Sequence, residues 1–500
     1  MGAPQVVTRV VARSVTSRMD ALLGGPARRR VIVALAAVLA LDSADKATVG
    51  TSATQLQQAL DIGKTQIGLL LAVSSVVGAL ATVPAGMLID RVNRTRLLAA
   101  AVTWWGGAML LSGVATDFLF LLLARVALGI VIAVAGPGVA SLVGDYFPER
   151  SRGRIYGYVL AGELIGAGFG FVIAGQFASL SWRAPFFVLA VPTSLAALLV
   201  ARLPEPARGG PSRIARGQRE VHGADDVPDD ADNADLPEDG DARAEPSLAH
   251  RAVRGDHVSP RPDAVLDRPP EEMSSWQAFR FVLRVRTNVV LIVASALGYF
   301  FFSGLRGFAV EFAKEHYAIS QGLASALTLV LGIGALAGVL AGGRLADGLL
   351  RKGVISARVD VPGVAVLIAG VLLIPALITT HLSLAVPLLV LACACLGASN
   401  PPLDAARLDI MVPRLWGRAE AVRSLLRNAG DAGAPLVFGV LAEAAFGGST
   451  GLEYAFLVML VALFGAALIT LLVGRRTYPH DVAAAAESMA RRARNTNVTK

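Results

Sequence analysis

The sequence predicts an all-α membrane protein, with twelve transmembrane helices arranged as two six-helix halves. Three observations carry this. Hydrophobic residues make up 54% of the 500 residues and charged residues 17%, where a soluble domain carries roughly a quarter charged; mean hydropathy is +0.58. Apolar runs recur at the length of about 20 residues that a bilayer core requires. A loop, GMLIDRVNRTR from Gly86 to Arg96, returns as GGRLADGLLRKG roughly 257 residues later (Gly86 to Gly343).

The runs fall roughly at 31–54, 66–89, 97–115, 118–141, 154–178 and 183–203, then at 287–311, 321–345, 359–380, 382–403, 419–442 and 452–474. The expected organisation is therefore a tail over 1–30, a six-helix bundle over 31–203, a linker over 204–275, a second bundle over 276–475 and a tail over 476–500. The linker contains DDVPDDADNADLPEDGDARAE and few large apolar residues, a composition that predicts disorder. The first run carries Asp42, Asp45 and Lys46, which excludes the core of a cleaved signal peptide.

Basic residues set the expected orientation. They cluster before the first run (Arg28, Arg29, Arg30) and after the second (Arg91, Arg94, Arg96), fourth, eighth, tenth and twelfth. Loops rich in Lys and Arg stay in the cytoplasm, so both termini are expected there, in a multi-pass protein of the cell membrane. The formal net charge of +8 is spread over helix ends, which argues against a soluble nucleic-acid-binding face. Cys393 and Cys395 lie two apart on one run and point in different directions, so neither a disulfide nor a metal site is expected.

Gly86, Leu88, Asp90 and Arg94 match Gly343, Leu345, Asp347 and Arg351 at the same spacing. A Gly-x-Leu-x-Asp-x-x-x-Arg loop after the second run of each half resembles the signature of the major facilitator superfamily of secondary transporters. Arg125, Gly129, Pro137 and DYFPERSRGR resemble that family's fourth helix and the loop after it. Trp182-Arg183-x-Pro-Phe-Phe and LPEP resemble its sixth helix and exit. Arg418 to Gly439, with GDAGAP inside, corresponds to Arg154 to Gly175. Asp45-Lys46, DRVNR and DYFP look like the Spinster-like branch, although Lys46 replaces its usual Arg and Ile132 its acidic residue. Gly157, Gly166, Gly170 and Gly175 partly match drug–proton antiporters, with Phe171 and Ala174 departing from that pattern.

The signature loop predicts a gate. Asp90 is expected to accept from a helix N-terminus in the opposite half, where the helix dipole favours an anion, and Gly343, Asp347 and Arg351 are its counterparts in the gating motif of the echo. Arg91 and Arg94 are expected to pair with Asp145. Ionisable residues inside the runs mark the pathway, because each is costly in lipid unless it faces a cavity or a partner. They are Asp42, Asp45, Lys46, Arg125, Glu163, Arg306, Arg427 and Asp431. At about 1.5 Å per residue, Asp42 lies about 16 Å, Glu163 about 14 Å and Asp431 about 18 Å into their runs, near the midplane where such transporters bind substrate. Asp42 with Lys46, and Asp431 with Arg427, are four apart and share a helix face. Glu163 has no basic residue three or four positions away on its own helix, which makes it the leading expected proton carrier, ahead of Asp42 and Asp431; the rival expectation is a fixed ion pair between Glu163 and Arg125.

Alternating-access transport is the expected function, as proton-coupled export of a small amphipathic or hydrophobic compound, an antiporter. Lysolipid or metabolite movement, facilitated or inward, is the second reading, and a transporter-like receptor or scaffold the third. An enzyme is not expected, since no nucleophile motif, metal cluster or phosphate loop accompanies the runs. The expected partners are a small-molecule substrate, protons and the lipid bilayer, without nucleic acid, cofactor or metal, in a monomer.

Overall fold

The computed structural model describes residues 26–89, 91–147, 149–206, 247–266, 273–412, 415–448 and 450–498. Every apolar run is a helix. In the N-terminal half these are α1 (Pro26–Thr51), α3 (Lys64–Ile89), α4 (Arg94–Gly113), α5 (Phe118–Tyr146), α6 (Glu149–Ala178) and α7 (Ala184–Ala201). A short α2 (Ala53–Leu60) follows α1. In the C-terminal half they are α10 (Arg286–Tyr317), α11 (Gln321–Arg351), α12 (Ala357–Ile378), α13 (Leu382–Asp409), α14 (Trp416–Val440) and α15 (Gly451–Ile469). Between the halves lie α8 (Leu248–Gly255) and α9 (Ser275–Arg284), and α16 (Arg475–Val498) ends the chain.

Eight described helices pass tests of length, hydropathy and low charge for a membrane span. Of the twelve, α1, α4, α6 and α14 do not. Three of these, α1, α6 and α14, carry six of the eight candidate ionisable residues; Arg125 on α5 and Arg306 on α10 lie on helices that pass.

The chain forms two compact units. The first comprises Met1–Arg219 with Arg306–Lys314 and Ile319–Leu329; the second comprises Glu220–Leu305, Glu315–Ala318 and Val330–Lys500. Small residues set the packing within each, as expected where lipid removes the hydrophobic drive between helices. In the first unit, Gly162, Gly166 and Gly170 on α6 oppose Ala36, Ala40 and Ala44 on α1. Both rows repeat every four residues, so two helix backbones touch along a common ridge. In the second unit, Gly334, Gly338 and Gly342 on α11 oppose Val390, Ala394 and Ala398 on α13 in the same way.

Helix ends are closed by side chains. Asn93 accepts from the Arg96 N–H at the start of α4, and Asp117 from the Phe120 N–H at the start of α5. Ser274 and Gln277 form a reciprocal capping box on α9.

The stretch expected as a disordered linker over 204–275 differs in part. Residues 247–266 form α8 and a 3-10 turn, Pro262–Ala264, packed into the second unit. Ala249 and Val253, one helical turn apart, are buried with Ala264 and Val265 against Leu350, Ala357, Ile410 and Leu415. This small apolar face is hidden in a polar composition. The expected tail over 476–500 is the helix α16, whose Tyr478, Val482 and Ala484 enter the same cluster. The most acidic part of the linker lies outside the described residues.

A β-carbon on Gly166 would meet the Ala40 backbone, which cannot move aside. Gly166→Ala should therefore destabilise the protein by about 1–3 kcal/mol, read as a lower melting temperature. Gly136→Ala on α5, where a β-carbon meets open space, should leave it unchanged.

Candidate functional site

In the first unit, α1 and α5 bring Asp45 and Arg125 together. Arg125 Nη1 donates to Asp45 Oδ1 at 3.0 Å and Nη2 to Oδ2 at 3.1 Å. Both side chains are 1% exposed. A fork-on-carboxylate pair is the arrangement that best offsets the cost of removing two charges from water. Arg125 Nε is buried and has no hydrogen-bond partner among the described residues. One turn earlier on α1, Lys46 Nζ lies 2.5 Å from Asp42 Oδ2, while Asp42 Oδ1 is buried without a hydrogen-bond partner among the described residues. The site thus holds an acid–base pair on one helix, an acid–base pair between two helices, one open donor and one open acceptor.

Glu163 lies on α6, but its side chain is outside the described residues. Arg306 is half-buried; its carbonyl and that of Gly307 would meet a β-carbon on Gly50 within 3 Å. Sequence reasoning missed Glu311, at the very end of its run. Glu311 is 1% exposed, accepts from Gln57 Nε2 at 2.7 Å and lies 3.9 Å from Lys64 Nζ.

The signature loop closes the other end of the first unit. Gly86 sits in the last turns of α3, Arg91 is exposed, and Asp90 is outside the described residues. Arg94 is buried at the start of α4 and pairs with Asp145. Its Nε also donates to Glu205 at 2.8 Å, and its Nη2 donates to the Pro206 carbonyl at 2.9 Å. Burial pushes the Glu205 carboxyl up, but the Thr95 amide and Arg94 outweigh it and hold it below its ordinary value. Glu205, in the LPEP exit, was not foreseen as a partner.

In the second unit Arg427 stands over the Tyr299 ring, 4.7 Å from its centroid, with Nη1 3.4 Å from the hydroxyl. The spacing points to Asp431; the contact seen is with the aromatic face of Tyr299 on α10. The Asp431 carbonyl accepts from Ser303 Oγ at 2.8 Å.

The echo of the loop behaves differently from expectation. Asp347 pairs within its own unit, with Arg358 Nη2 at 3.2 Å. Arg351, matched to Arg94 by spacing, is exposed and reaches only the Asp347 carbonyl. Gly343 packs near Pro401. Arg358, at the start of α12, occupies the place Arg94 has on α4, because the second loop is longer. It pairs with Asp409 at the end of α13. Asp409 is 2% exposed and also accepts from Tyr478 at 2.6 Å and Ser247 at 2.8 Å. His250 Nε2 lies 2.8 Å from the Asp409 carbonyl and Nδ1 3.1 Å from Ser247 Oγ. Arg261 and the Thr287 amide meet on Asp481, at 3.0 and 2.8 Å. The linker and the C-terminal helix are thus fastened to the second unit by charge.

Buried, paired charges inside a doubled six-helix membrane fold, with an arginine–carboxylate cluster in each unit, have the character of a membrane transporter. The family model of the Major Facilitator Superfamily matches residues 35–402, and the chain belongs to that family. It is 30% identical over 181 residues to the 4-hydroxybenzoate transporter PcaK of Pseudomonas putida, covering 36% of this chain and 40% of that one. It is 31% identical over 172 residues to the 3-(3-hydroxy-phenyl)propionate transporter of Escherichia coli, covering 34% and 42%. The match therefore spans about two-fifths of these curated relatives. A crystal structure of a bacterial homologue of the human lysosomal transporter Spinster, inward-facing and unoccupied, has the same fold, with a TM-score of 0.70, 21% identity, and coverage of 91% and 98%.

Burial pushes the His250 imidazole below its ordinary 6.5; Asp409 opposes this, and Arg254 and Arg358 assist it. The neutral ring belongs to the packed state. Its contribution is complete above the ordinary value and is lost as pH falls from there toward the lower folded value. Amide exchange over 247–256 should therefore quicken, beyond its intrinsic pH dependence, between pH 7.5 and 5.5. His250→Gln should remove that increment.

Proposed function

We propose that this protein is a proton-coupled carrier of a small organic anion, most simply an aromatic carboxylate, in the cell membrane. The observation that carries the reading is the buried Asp45–Arg125 pair with its open Nε donor. A substrate carboxylate and Asp45 are alternative partners for the same guanidinium. A proton delivered to Asp45 neutralises it and frees Arg125 to take the substrate. Loss of the substrate returns Arg125 to Asp45 and expels the proton. Neither state leaves an arginine charge unpaired in the low-dielectric interior, where an uncompensated charge costs several kcal/mol. Asp42 and Lys46, on the same helix as Asp45, are further proton and anion positions, and Glu163 is the alternative proton carrier.

The two relatives support the substrate class, since both are named for hydroxylated aromatic acids. That favours metabolite movement over the export of an amphipathic compound. The basic clusters at the clasped ends support a cytoplasmic position for both termini. There, in the first unit, Asp90 with the Arg94–Asp145–Glu205 clasp would serve as the gate. In the second, Gly343, Asp347 and Arg351 frame the corresponding clasp around Arg358.

Transport into proteoliposomes tests this. With an inward proton gradient, 4-hydroxybenzoate should accumulate and a lipophilic cation should not. Asp45→Asn should abolish gradient-driven accumulation while leaving exchange of internal for external substrate. Arg125→Gln should abolish both. If Glu163→Gln alone gives the exchange-only pattern and Asp45→Asn transports normally, the proton rides on Glu163. Flux of the cation without carboxylate would restore the export reading.

A further inference from the structure

The helix α9, Ser275–Arg284, has a role that neither transport nor the clasps absorb. Its one face is spoken for: Ala278 and Val282, with Val285 just after, are buried among Met411, Leu415 and Val422. Phe279 and Phe281 are partly buried against the same cluster, and Trp276, Gln277, Arg280, Leu283 and Arg284 are exposed. At 3.6 residues per turn, Phe279, Leu283 and Trp276 fall next to one another on one flank, and Arg280, Arg284 and Gln277 on the next. Trp276 is 69% and Leu283 38% exposed. Trp276 stacks on Phe279 with centroids 5.4 Å apart. Arg280 and Arg284 are exposed and make no ion pair among the described residues. The segment SWQAFRFVLR contains no acid.

Position decides what covers these flanks. A single residue, Val285 in extended conformation, separates α9 from the membrane helix α10, which opens with Arg286. α9 therefore ends within one residue of a helix long and apolar enough to cross a membrane, which brings it near the headgroup layer. At that depth an indole and a leucine favour the acyl side, and arginines reach the phosphate layer. Water would leave the apolar flank exposed, and a zwitterionic headgroup offers a phosphate already balanced by its own cation, whereas an anionic headgroup brings net negative charge to the two guanidiniums.

The geometry points to α9 as a docking surface for anionic phospholipid headgroups of the adjoining leaflet, with Arg280 and Arg284 taking the headgroup and Trp276, Phe279 and Leu283 the upper acyl chains. Through Ala278 and Val282 the docked lipid braces the connection between α13 and α14 and the first turns of α14, the helix that carries Arg427.

Native mass spectrometry of the purified full-length protein, given phosphatidylglycerol and phosphatidylcholine in equal amounts, tests this. The wild type should retain phosphatidylglycerol preferentially. Each of Arg280→Gln and Arg284→Gln should cut that preference about fivefold, with melting temperature unchanged because both side chains are on the surface. Millimolar inorganic phosphate should not displace the lipid. An unchanged preference in the double variant, or displacement by phosphate alone, would overturn the proposal, the latter by revealing a site for a soluble anion. An independent readout on the unaltered basic residues is fluorescence quenching by brominated lipids. The difference between wild type and Trp276→Phe should be quenched more by brominated phosphatidylglycerol than by the phosphatidylcholine analogue, and equal quenching would also overturn it.

Discussion

The fold is built around the requirement that a charge inside a bilayer has a partner. Asp45 and Arg125 meet this requirement most completely, because the fork of one matches the two oxygens of the other and water reaches neither. Each of their helices is seated by shape against a different neighbour. α1 lies against α6 along a ridge of glycine and alanine, and α5 lies against α3 where Gly129 meets Ser74 and Val77. Bulkier residues at these ridges would part the backbones and the buried pair with them. Glycines, which lower helix propensity, are thus retained where a neighbouring backbone leaves no room for a β-carbon.

The same requirement organises the ends of both units. In the first, Arg94 gathers Asp145 and Glu205. In the second, Arg358 gathers Asp409 and Asp347, and Tyr478, Ser247 and His250 complete the shell around Asp409. Each cluster ties the start of one helix to the end of the next, and then to the segment leaving the unit. The linker and the C-terminal helix are extra ligands for the second cluster, which explains why polar sequence outside the membrane runs is ordered there.

The twelve helices were legible because length and hydropathy are properties of contiguous residues. So was the Asp42–Lys46 pair, which needs only helical spacing. Asp45 and Arg125 were each visible as costly residues, but their pairing was not, since it depends on which helices lie side by side. Repeat spacing misassigned Arg351, because a longer second loop moves the equivalent arginine to 358. A signal for the right assignment was present. Arg358 and Asp409 lie 264 residues after Arg94 and Asp145 (94 to 358, 145 to 409), the same offset that relates Arg154–Gly175 to Arg418–Gly439. The order in 247–266 was hidden because alanines and valines at one-turn spacing make little impression on composition, although they suffice once a partner surface exists. Glu205 and Glu311 escaped notice for a related reason: each stands just at or beyond a run's edge, where an acid looks solvated.

The central claim is that the substrate carboxylate and Asp45 exchange on Arg125, with a proton taking the arginine's place on the aspartate. The direct measurement is proton uptake on binding, by titration calorimetry of purified protein with 4-hydroxybenzoate in buffers of different ionisation enthalpy. The account predicts uptake of about one proton per carboxylate bound in the wild type, since binding then links to protonation, and none in Asp45→Asn with binding retained. Binding without proton uptake in the wild type, or the same uptake in Asp45→Asn, would contradict it.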